Sequence, residues 1–273
     1  MNRNLASCSR IADSFARSRQ RRQLAFLPFL PAGFPNLQAT ASLLPALQAA
    51  GADLIEVGFP FSDPIADGPV IQEAFAAALR TGLRVADIFA TVRAARPSVT
   101  IPLVAMVSIS IVQRFGADRF IHQAASAGFD GLLVPDLPPP EARPICRQVR
   151  EAGLDTILLV APTTPLERRR EILSLCSGFA YYLSVSGVTG QRDQLPPDLA
   201  QNVLQLKSLS DVPVCVGFGI SRPEHLAQLA PLADGAIVGS ALVRQIAQNV
   251  HQPIESLVRN IQAYCRHLLS ALG

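Results

Sequence analysis

The sequence predicts a single-domain α/β protein, a closed (β/α)8 TIM barrel with an extra N-terminal helix. Short apolar runs typical of strands alternate with longer stretches of helical periodicity throughout the 273 residues. The polar and glycine-rich segments follow these runs, which is where the loops of such a barrel carry function. Eight β-then-α units in about 250 residues, and no dinucleotide-type glycine-rich turn after the first strand, favour the barrel over a doubly wound sheet.

Each element follows from its local pattern. We expect strands near 24–30, 53–58, 101–107, 130–135, 155–160, 180–185, 213–217 and 234–239. We expect helices near 37–50, 69–80, 85–95, 117–127, 140–152, 165–176, 197–209, 222–230 and 253–270. The helix-to-strand junctions repeat a Gly-x-Asp unit at 51–53, 128–130 and 153–155, with a looser version at 233–235, and its glycine ends a helix in the left-handed conformation.

The segment before the first strand is rich in arginine and serine and poor in acids, which also fits a transit peptide. An amphipathic helix that turns Ile11, Phe15 and Leu24 inward is the favoured interpretation. We expect residues 1–9 to be a disordered extension. No linker is long enough to divide the chain, so one barrel domain is expected over 1–273.

Composition excludes several classes of function. The chain is 49% hydrophobic and 16% charged, as expected for a packed globular enzyme. No basic stripe interleaves with aromatic residues, which argues against nucleic-acid binding, and no apolar run has the length of a membrane span. The five cysteines are scattered without CxxC spacing, which suggests a reducing compartment, and we expect a cytoplasmic protein. Neither they nor the four histidines have metal-ligand spacing, so we expect no metal and no cofactor.

Lys207 is the only lysine, and it lies in a helical stretch rather than at the end of a strand. An enzyme that forms a Schiff base needs a desolvated lysine in its pocket. The sequence therefore argues against covalent catalysis of that kind.

Four carboxylates fall close together in and after the second predicted strand. Glu56 lies inside its apolar run, and Asp63 and Asp67 follow in a loop stiffened by proline and glycine. A carboxylate in an apolar strand is costly unless it is paired or protonated, so this layout is typical of proton-transfer catalysis. A structural role as turn and cap residues is the alternative. We expect Asp63 to fasten the loop and Asp53 to open the strand.

A phosphate site is predicted from the loops after strands 6, 7 and 8. These loops contribute Gly190, Gly219, Gly239 and Ser240, and Ser240 also heads a helix. In this fold, backbone N–H groups and a helix N-terminus at that position bind phosphate. The alternative is that the glycines only make tight turns.

Several segments resemble the tryptophan synthase α chain family. They lie at 25–33, 53–58, 61–72, 133–138, 186–190, 217–221 and 238–240, in consistent order from about residue 10 to the C-terminus. The phrase Pro60-Phe-Ser-Asp-Pro-Ile-Ala-Asp-Gly-Pro69 is close to diagnostic.

The resemblance implies a lyase of L-tryptophan biosynthesis that cleaves indole-3-glycerol phosphate into indole and glyceraldehyde 3-phosphate. The reaction is a retro-aldol cleavage of a C–C bond, although such enzymes are classed by convention as carbon–oxygen lyases. The resemblance also implies a pyridoxal-phosphate-dependent β chain as partner, in an α2β2 heterotetramer. No metal or Schiff base is required.

The resemblance further assigns roles to individual residues. Glu56 matches the family's catalytic glutamate and Asp67 its catalytic aspartate. The chemistry agrees, because a buried carboxyl can shuttle protons while a second, ionised carboxylate accepts the indole N–H. Phe29, Tyr181 and Phe218 match positions that pack on the indole, and Thr189 matches the threonine of the mobile loop after strand 6. The phosphate-binding positions of the family are matched by Gly190, Gly219, Gly239 and Ser240.

One segment departs from the family pattern. After strand 3 the family usually has an aromatic residue, a variable residue and an asparagine, where this chain has Ser108-Ile-Ser110. We expect either a wider pocket or an altered contact with the β chain, while Asp136 matches a family aspartate that lies toward that interface. A free-standing lyase that releases indole, and a phosphate-binding regulatory partner of low activity, remain open. Another phosphate-binding barrel of the same pathway is also an alternative, but it predicts a lysine near the end of a strand.

Overall fold

The structure is a computed structural model that describes residues 9–64, 67–183, 196–217 and 219–272. Eight parallel strands close into a barrel in chain order, which confirms the predicted TIM barrel. They are β1 (Ala25–Pro31), β2 (Ile55–Gly58), β3 (Leu103–Met106), β4 (Gly131–Leu133), β5 (Asp155–Val160), β6 (Ala180–Leu183), β7 (Val214–Gly217) and β8 (Gly235–Val238).

The helices surround this barrel and include every one that the periodicity predicts. They are α1 (Arg10–Arg21), α2 (Leu37–Ala49), α3 (Pro69–Arg80), α4 (Val85–Ala95), α5 (Ile109–Phe115), α6 (Ala117–Ala127), α7 (Pro139–Glu151), α8 (Leu166–Leu175), α9 (Leu199–Leu209), α10 (Pro223–Leu229), α11 (Ser240–Gln248) and α12 (Ile254–Leu269). Helix α5 has no counterpart among the predicted helices, and α11 has none among the predicted ranges, although Ser240 was expected to head a helix. The seven residues of α5 begin where the apolar run of β3 ends, and the Ser108 hydroxyl accepts the N–H of Ser110 at the start of this helix.

The core has two layers, because successive strand residues face opposite sides of the barrel wall. One layer lies between the strands and the helices. The other fills the barrel interior with alternate strand residues, including Leu27, Leu54, Val104, Leu133, Ile157 and Ile237. Glu56 follows Leu54 by two residues, so its side chain also faces the interior.

Helix α1 closes the end of the barrel where the strands begin. Ser9 caps it by accepting the N–H of Ala12 at 3.1 Å, and Ile11 and Phe15 are buried among the interior residues. The Phe15 ring packs on Phe179 at a centroid distance of 5.8 Å. The predicted inward face is therefore confirmed, with Leu24 buried just beyond the helix. Of the predicted extension at 1–9, residues 1–8 lie outside the described residues.

The Gly-x-Asp junctions connect neighbouring strands at this same end. Their glycines Gly51, Gly128 and Gly153 have positive φ, and two of the three aspartates bind across to the preceding strand. The looser junction at 233–235 does the same. Each carboxylate accepts one backbone N–H from the strand before its own: Asp53 from Phe26 at 2.9 Å, Asp130 from Leu103 at 2.9 Å and Asp234 from Val214 at 3.0 Å. The strand predicted from Asp53 begins at Ile55, so Asp53 lies just before β2 and links it to β1. Asp155 instead accepts the Ser177 hydroxyl at 2.8 Å.

Within the described ranges, no helix combines the length and the apolar character that a membrane crossing requires.

Candidate active site

A cavity of about 430 Å³ lies at the end of the barrel where the strands finish. Its wall is largely apolar, as expected of a site that takes an organic ligand. The apolar lining comes from strands on all sides of the barrel and from α3, and includes Phe29, Phe59, Phe75, Leu159, Tyr181 and Ile237. The polar lining includes Asp67, Ser108, Asp136 and Ser240.

Glu56 lies in β2, beside Phe29 of β1 and Val104 of β3 in the strand register. Its exposed fraction is 0%, and neither carboxyl oxygen has a hydrogen-bond partner among the described residues. Burial raises the pKa of this carboxyl from 4.5 to about 8, because an apolar environment disfavours the charged form. Glu56 therefore carries a proton at neutral pH and can act as an acid.

Asp67 lies in the loop between β2 and α3 and lines the cavity. Its backbone is held in place: the Asp67 N–H donates to the Pro64 carbonyl at 3.0 Å, and the Gln72 amide donates to the Asp67 carbonyl at 2.8 Å. Partial burial raises the pKa of the Asp67 carboxyl from 3.8 to about 6. Asp67 is therefore mostly ionised at pH 7 while Glu56 is protonated, in the order that the sequence predicted.

Two aromatic side chains of the cavity rest directly on glycines. The Phe29 ring covers Gly58, and the Tyr181 hydroxyl lies against Gly217, so that a Cβ at either glycine would overlap the aromatic group. Burial, with smaller contributions from Glu56 and Asp67, raises the pKa of Tyr181 well above its usual value. The Tyr181 hydroxyl therefore stays protonated close to both carboxyl groups.

The predicted phosphate positions that can be placed lie at one side of the same cavity. Gly219 has a φ of +60°, Gly239 precedes α11 and Ser240 is the first residue of that helix. All three line the cavity, as do the predicted indole-packing residues Phe29 and Tyr181. The predicted Thr189, Gly190 and Phe218 lie outside the described residues.

Two residues of the site have no role predicted from the sequence. Gln72 binds both Pro64 and Asp67 through its side-chain amide, and Phe75 lines the cavity from the same helix. Their spacing after Pro69 could have identified them, because it places both near the start of the helix that follows the acidic loop. Asp63, predicted to fasten this loop, accepts a hydrogen bond only from its neighbour Ser62 among the contacts that the structure records.

No cluster of three or more His, Cys, Asp or Glu suited to a metal ion occurs in the part of the chain that the structure describes.

Comparisons with known proteins agree over nearly the whole chain. The family model of the tryptophan synthase alpha chain matches residues 15–272. The chain is 43% identical over 268 residues to the tryptophan synthase alpha chain of Rhodopirellula baltica, covering 94% of this chain and 96% of that protein. It is 46% identical over 247 residues to that of Carboxydothermus hydrogenoformans, covering 90% and 92%. A structure of Mycobacterium tuberculosis tryptophan synthase superposes with a TM-score of 0.87 at 38% identity, covering 97% of this chain and 98% of that one.

Proposed function

Because the chain belongs to the tryptophan synthase α chain family, which cleaves indole-3-glycerol phosphate in tryptophan biosynthesis, we propose that Glu56 and Asp67 perform this cleavage here. The observation that carries the proposal is the Glu56 carboxyl: it is fully buried, has no hydrogen-bond partner among the described residues, has a pKa raised to about 8, and lies in register with Phe29, which lines the cavity. The products are indole and glyceraldehyde 3-phosphate.

The reaction needs one proton delivered and one removed. Glu56 donates its proton to indole C3, and the resulting carboxylate then takes the proton of the hydroxyl on the adjacent glycerol carbon. The C–C bond breaks as the aldehyde forms, and the electron pair of the broken bond restores the indole ring. Glu56 regains its proton in the same cycle, so a carboxyl whose pKa lies near the working pH suits both steps.

Asp67 stabilises the intermediate between these steps. Protonation of C3 places positive charge on the indole nitrogen, and an ionised carboxylate that accepts the N–H offsets that charge. Its pKa of about 6 keeps Asp67 ionised in the pH range where Glu56 is protonated. The braced backbone at Pro64 and Gln72 supports this role, because it fixes the loop before substrate binds.

The rest of the cavity positions the substrate. Gly219, Gly239 and Ser240 bind the phosphate, and Phe29 and Tyr181 pack on the indole. For Gly190, Phe218 and Thr189, which lie outside the described residues, the family resemblance alone suggests roles in phosphate binding, indole packing and contact with the catalytic aspartate. Support for the phosphate end comes from the placement of Gly239 and Ser240 at the N-terminus of α11, where backbone N–H groups are free of helical partners.

The test is indole release from indole-3-glycerol phosphate by the purified chain, with and without added β chain. Glu56→Gln should lower turnover by about three orders of magnitude or more, since it removes the only proton donor of the scheme. Asp63→Asn changes the other carboxylate of the loop that holds Asp67, which also lines the cavity, and as the matched control it should lower turnover far less than Glu56→Gln. Wild-type turnover in Glu56→Gln, or no indole release by the wild-type chain under either condition, would overturn the proposal.

We also propose the setting in which this chemistry occurs. The family works with a β chain, and we propose an α2β2 heterotetramer, built from one barrel domain over residues 1–273 and located in the cytoplasm. The buried free thiols of Cys146, Cys176, Cys215 and Cys265 are compatible with a reducing compartment. Sedimentation of the mixed chains tests the assembly. Indole accumulation by the α chain alone at the rate of the mixture would instead favour the free-standing lyase.

A further inference from the structure

The circular order of the strands decides which wall of the cavity meets the far end of the substrate. In a barrel of eight strands in chain order, β3 and β4 lie opposite β7 and β8. This inference rests on the proposed function, which places the phosphate at Gly219, Gly239 and Ser240 on the β7–β8 side. The benzo ring of the indole, at the other end of the substrate, then points at the β3–β4 wall.

That wall is made of apolar side chains with a polar pair at its rim. Met106 and Leu133 line the cavity from the strands, and Ser108, Pro135 and Asp136 follow them in the loops. Ser108 is 3% exposed, so its side chain is part of the wall rather than of the outer surface. Serine has a small side chain, so it leaves open space at this part of the wall.

The Ser108 side chain is held in one position by its hydrogen bonds. Its hydroxyl donates to Asp136 Oδ2 at 2.6 Å and accepts the N–H of Ser110 at 3.3 Å. The other oxygen, Asp136 Oδ1, accepts the N–H of Ile109 at 2.8 Å. These bonds join the loop after β3 to the loop after β4, so the space in front of Ser108 is fixed.

The chemistry of this space selects for a donor. A carboxylate oxygen has two lone pairs, and each Asp136 oxygen accepts one bond in the contacts above, so each can accept another. The Ser108 hydroxyl already directs its own proton to Asp136. A ligand group that reaches this rim therefore meets acceptors.

We propose that Ser108 and Asp136 form a specificity-determining wall that admits indole substrates with a small hydrogen-bond donor, such as a hydroxyl group, on the benzo ring. The serine provides the room and the aspartate provides the acceptor. The residues that hold the phosphate and move protons are unchanged for such a substrate.

The experiment uses the reverse reaction, in which indole condenses with glyceraldehyde 3-phosphate, and compares indole with 5- and 6-hydroxyindole and with 5- and 6-methylindole. For the wild-type chain, kcat/KM of at least one hydroxyindole should lie within about tenfold of that of indole and above that of the matching methylindole. Ser108→Phe should lower kcat/KM for the substituted indoles about 10- to 100-fold more than for indole, because it fills the space.

Two further variants separate room from polarity. Ser108→Ala keeps the space and should retain turnover of the methylindoles. Asp136→Asn keeps an oxygen for the Ile109 N–H but removes the carboxylate, so the preference for hydroxyl over methyl should fall. Thermal melting of each variant shows whether it is folded, and Ser108→Val gives a smaller increase in volume if Ser108→Phe is not.

The outcomes distinguish this inference from the proposed function. Turnover of indole without turnover of any hydroxyindole would overturn only the inference. An unchanged ratio between substituted indoles and indole in folded Ser108→Phe or Ser108→Val would do the same. No turnover of indole itself would overturn the proposed function and the inference with it.

Discussion

Replacing Glu56 with glutamine should change how the stability of the barrel depends on pH. The carboxyl is fully buried and has no hydrogen-bond partner in the described part of the chain, and burial raises its pKa from 4.5 to about 8. Glutamine has nearly the same shape and carries no titratable proton. The variant therefore removes the titration and leaves the packing almost unchanged.

The sign follows from proton binding. In the unfolded chain Glu56 ionises from about pH 4.5, whereas in the folded chain it stays protonated until about pH 8. Between these values the folded state binds more protons, so the free energy of unfolding falls as pH rises. The stabilisation is fully present below pH 4.5 and is lost as pH rises through 8. At 1.36 kcal/mol per pKa unit, the loss between pH 5 and pH 8 is roughly 3 to 4 kcal/mol.

Urea unfolding at pH 5, 6, 7, 8 and 9 measures this difference. The free energies of unfolding of wild type and Glu56→Gln should lie close together at pH 5, and the variant should be the more stable at pH 8. Asp67→Asn is the matched control: since the pKa of Asp67 is raised only to about 6, its curve should parallel that of the wild type above pH 7. Parallel curves for wild type and Glu56→Gln from pH 5 to 9 would refute the reasoning.

Three further predictions follow from the site and the core. The plot of kcat/KM for indole release against pH should be bell-shaped, with an acidic limb near pH 6 where Asp67 gains a proton and a basic limb near pH 8 where Glu56 loses one. A flat profile from pH 5 to 9 would contradict both assignments. Gly217→Ala should displace the Tyr181 hydroxyl and lower kcat/KM at least roughly tenfold, as steady-state kinetics would show, and unchanged kinetics would exclude a tightly seated Tyr181. Phe15→Ala should lower the free energy of unfolding, measured in urea, by about 3 to 5 kcal/mol, because loss of the ring leaves a cavity at the end of the barrel that α1 closes. A loss below about 1 kcal/mol would mean that this end stays packed without the ring.

The fold was predictable because its signals are local. Each strand is a short apolar run, and glycines such as Gly51 and Gly128 mark where helices end. Helix α5 was not predicted because Ile109 and Val112 continue the apolar pattern of β3, and its seven residues are too few to show helical periodicity. The hydrogen bond that marks its start, from Ser110 to the Ser108 hydroxyl, is visible only in the structure.

Those residues of the site whose type is unusual for their position were predictable from the sequence. A glutamate in an apolar strand is costly unless it has a use, and a rigid loop with an aspartate follows that strand, so Glu56 and Asp67 could be proposed from the sequence. The contact of Tyr181 with Gly217 could not, because the two residues meet through the pairing of β6 and β7, and a glycine in a sequence does not reveal which side chain uses its space. The Ser108–Asp136 bond joins two loops and was equally hidden.

Three aspartates at or just before the starts of strands link six of the eight strands in pairs. Asp53 links β2 to β1, Asp130 links β4 to β3 and Asp234 links β8 to β7, each through one backbone N–H. Every one of these links joins an even-numbered strand to the odd-numbered strand before it. A chain opened between pairs, for example in the segment from α4 to β3, keeps all three links, whereas an opening within a pair removes one. Three strand pairs therefore have a side-chain link in addition to the backbone ladder, and new chain termini or split halves are best tolerated where no such link is broken.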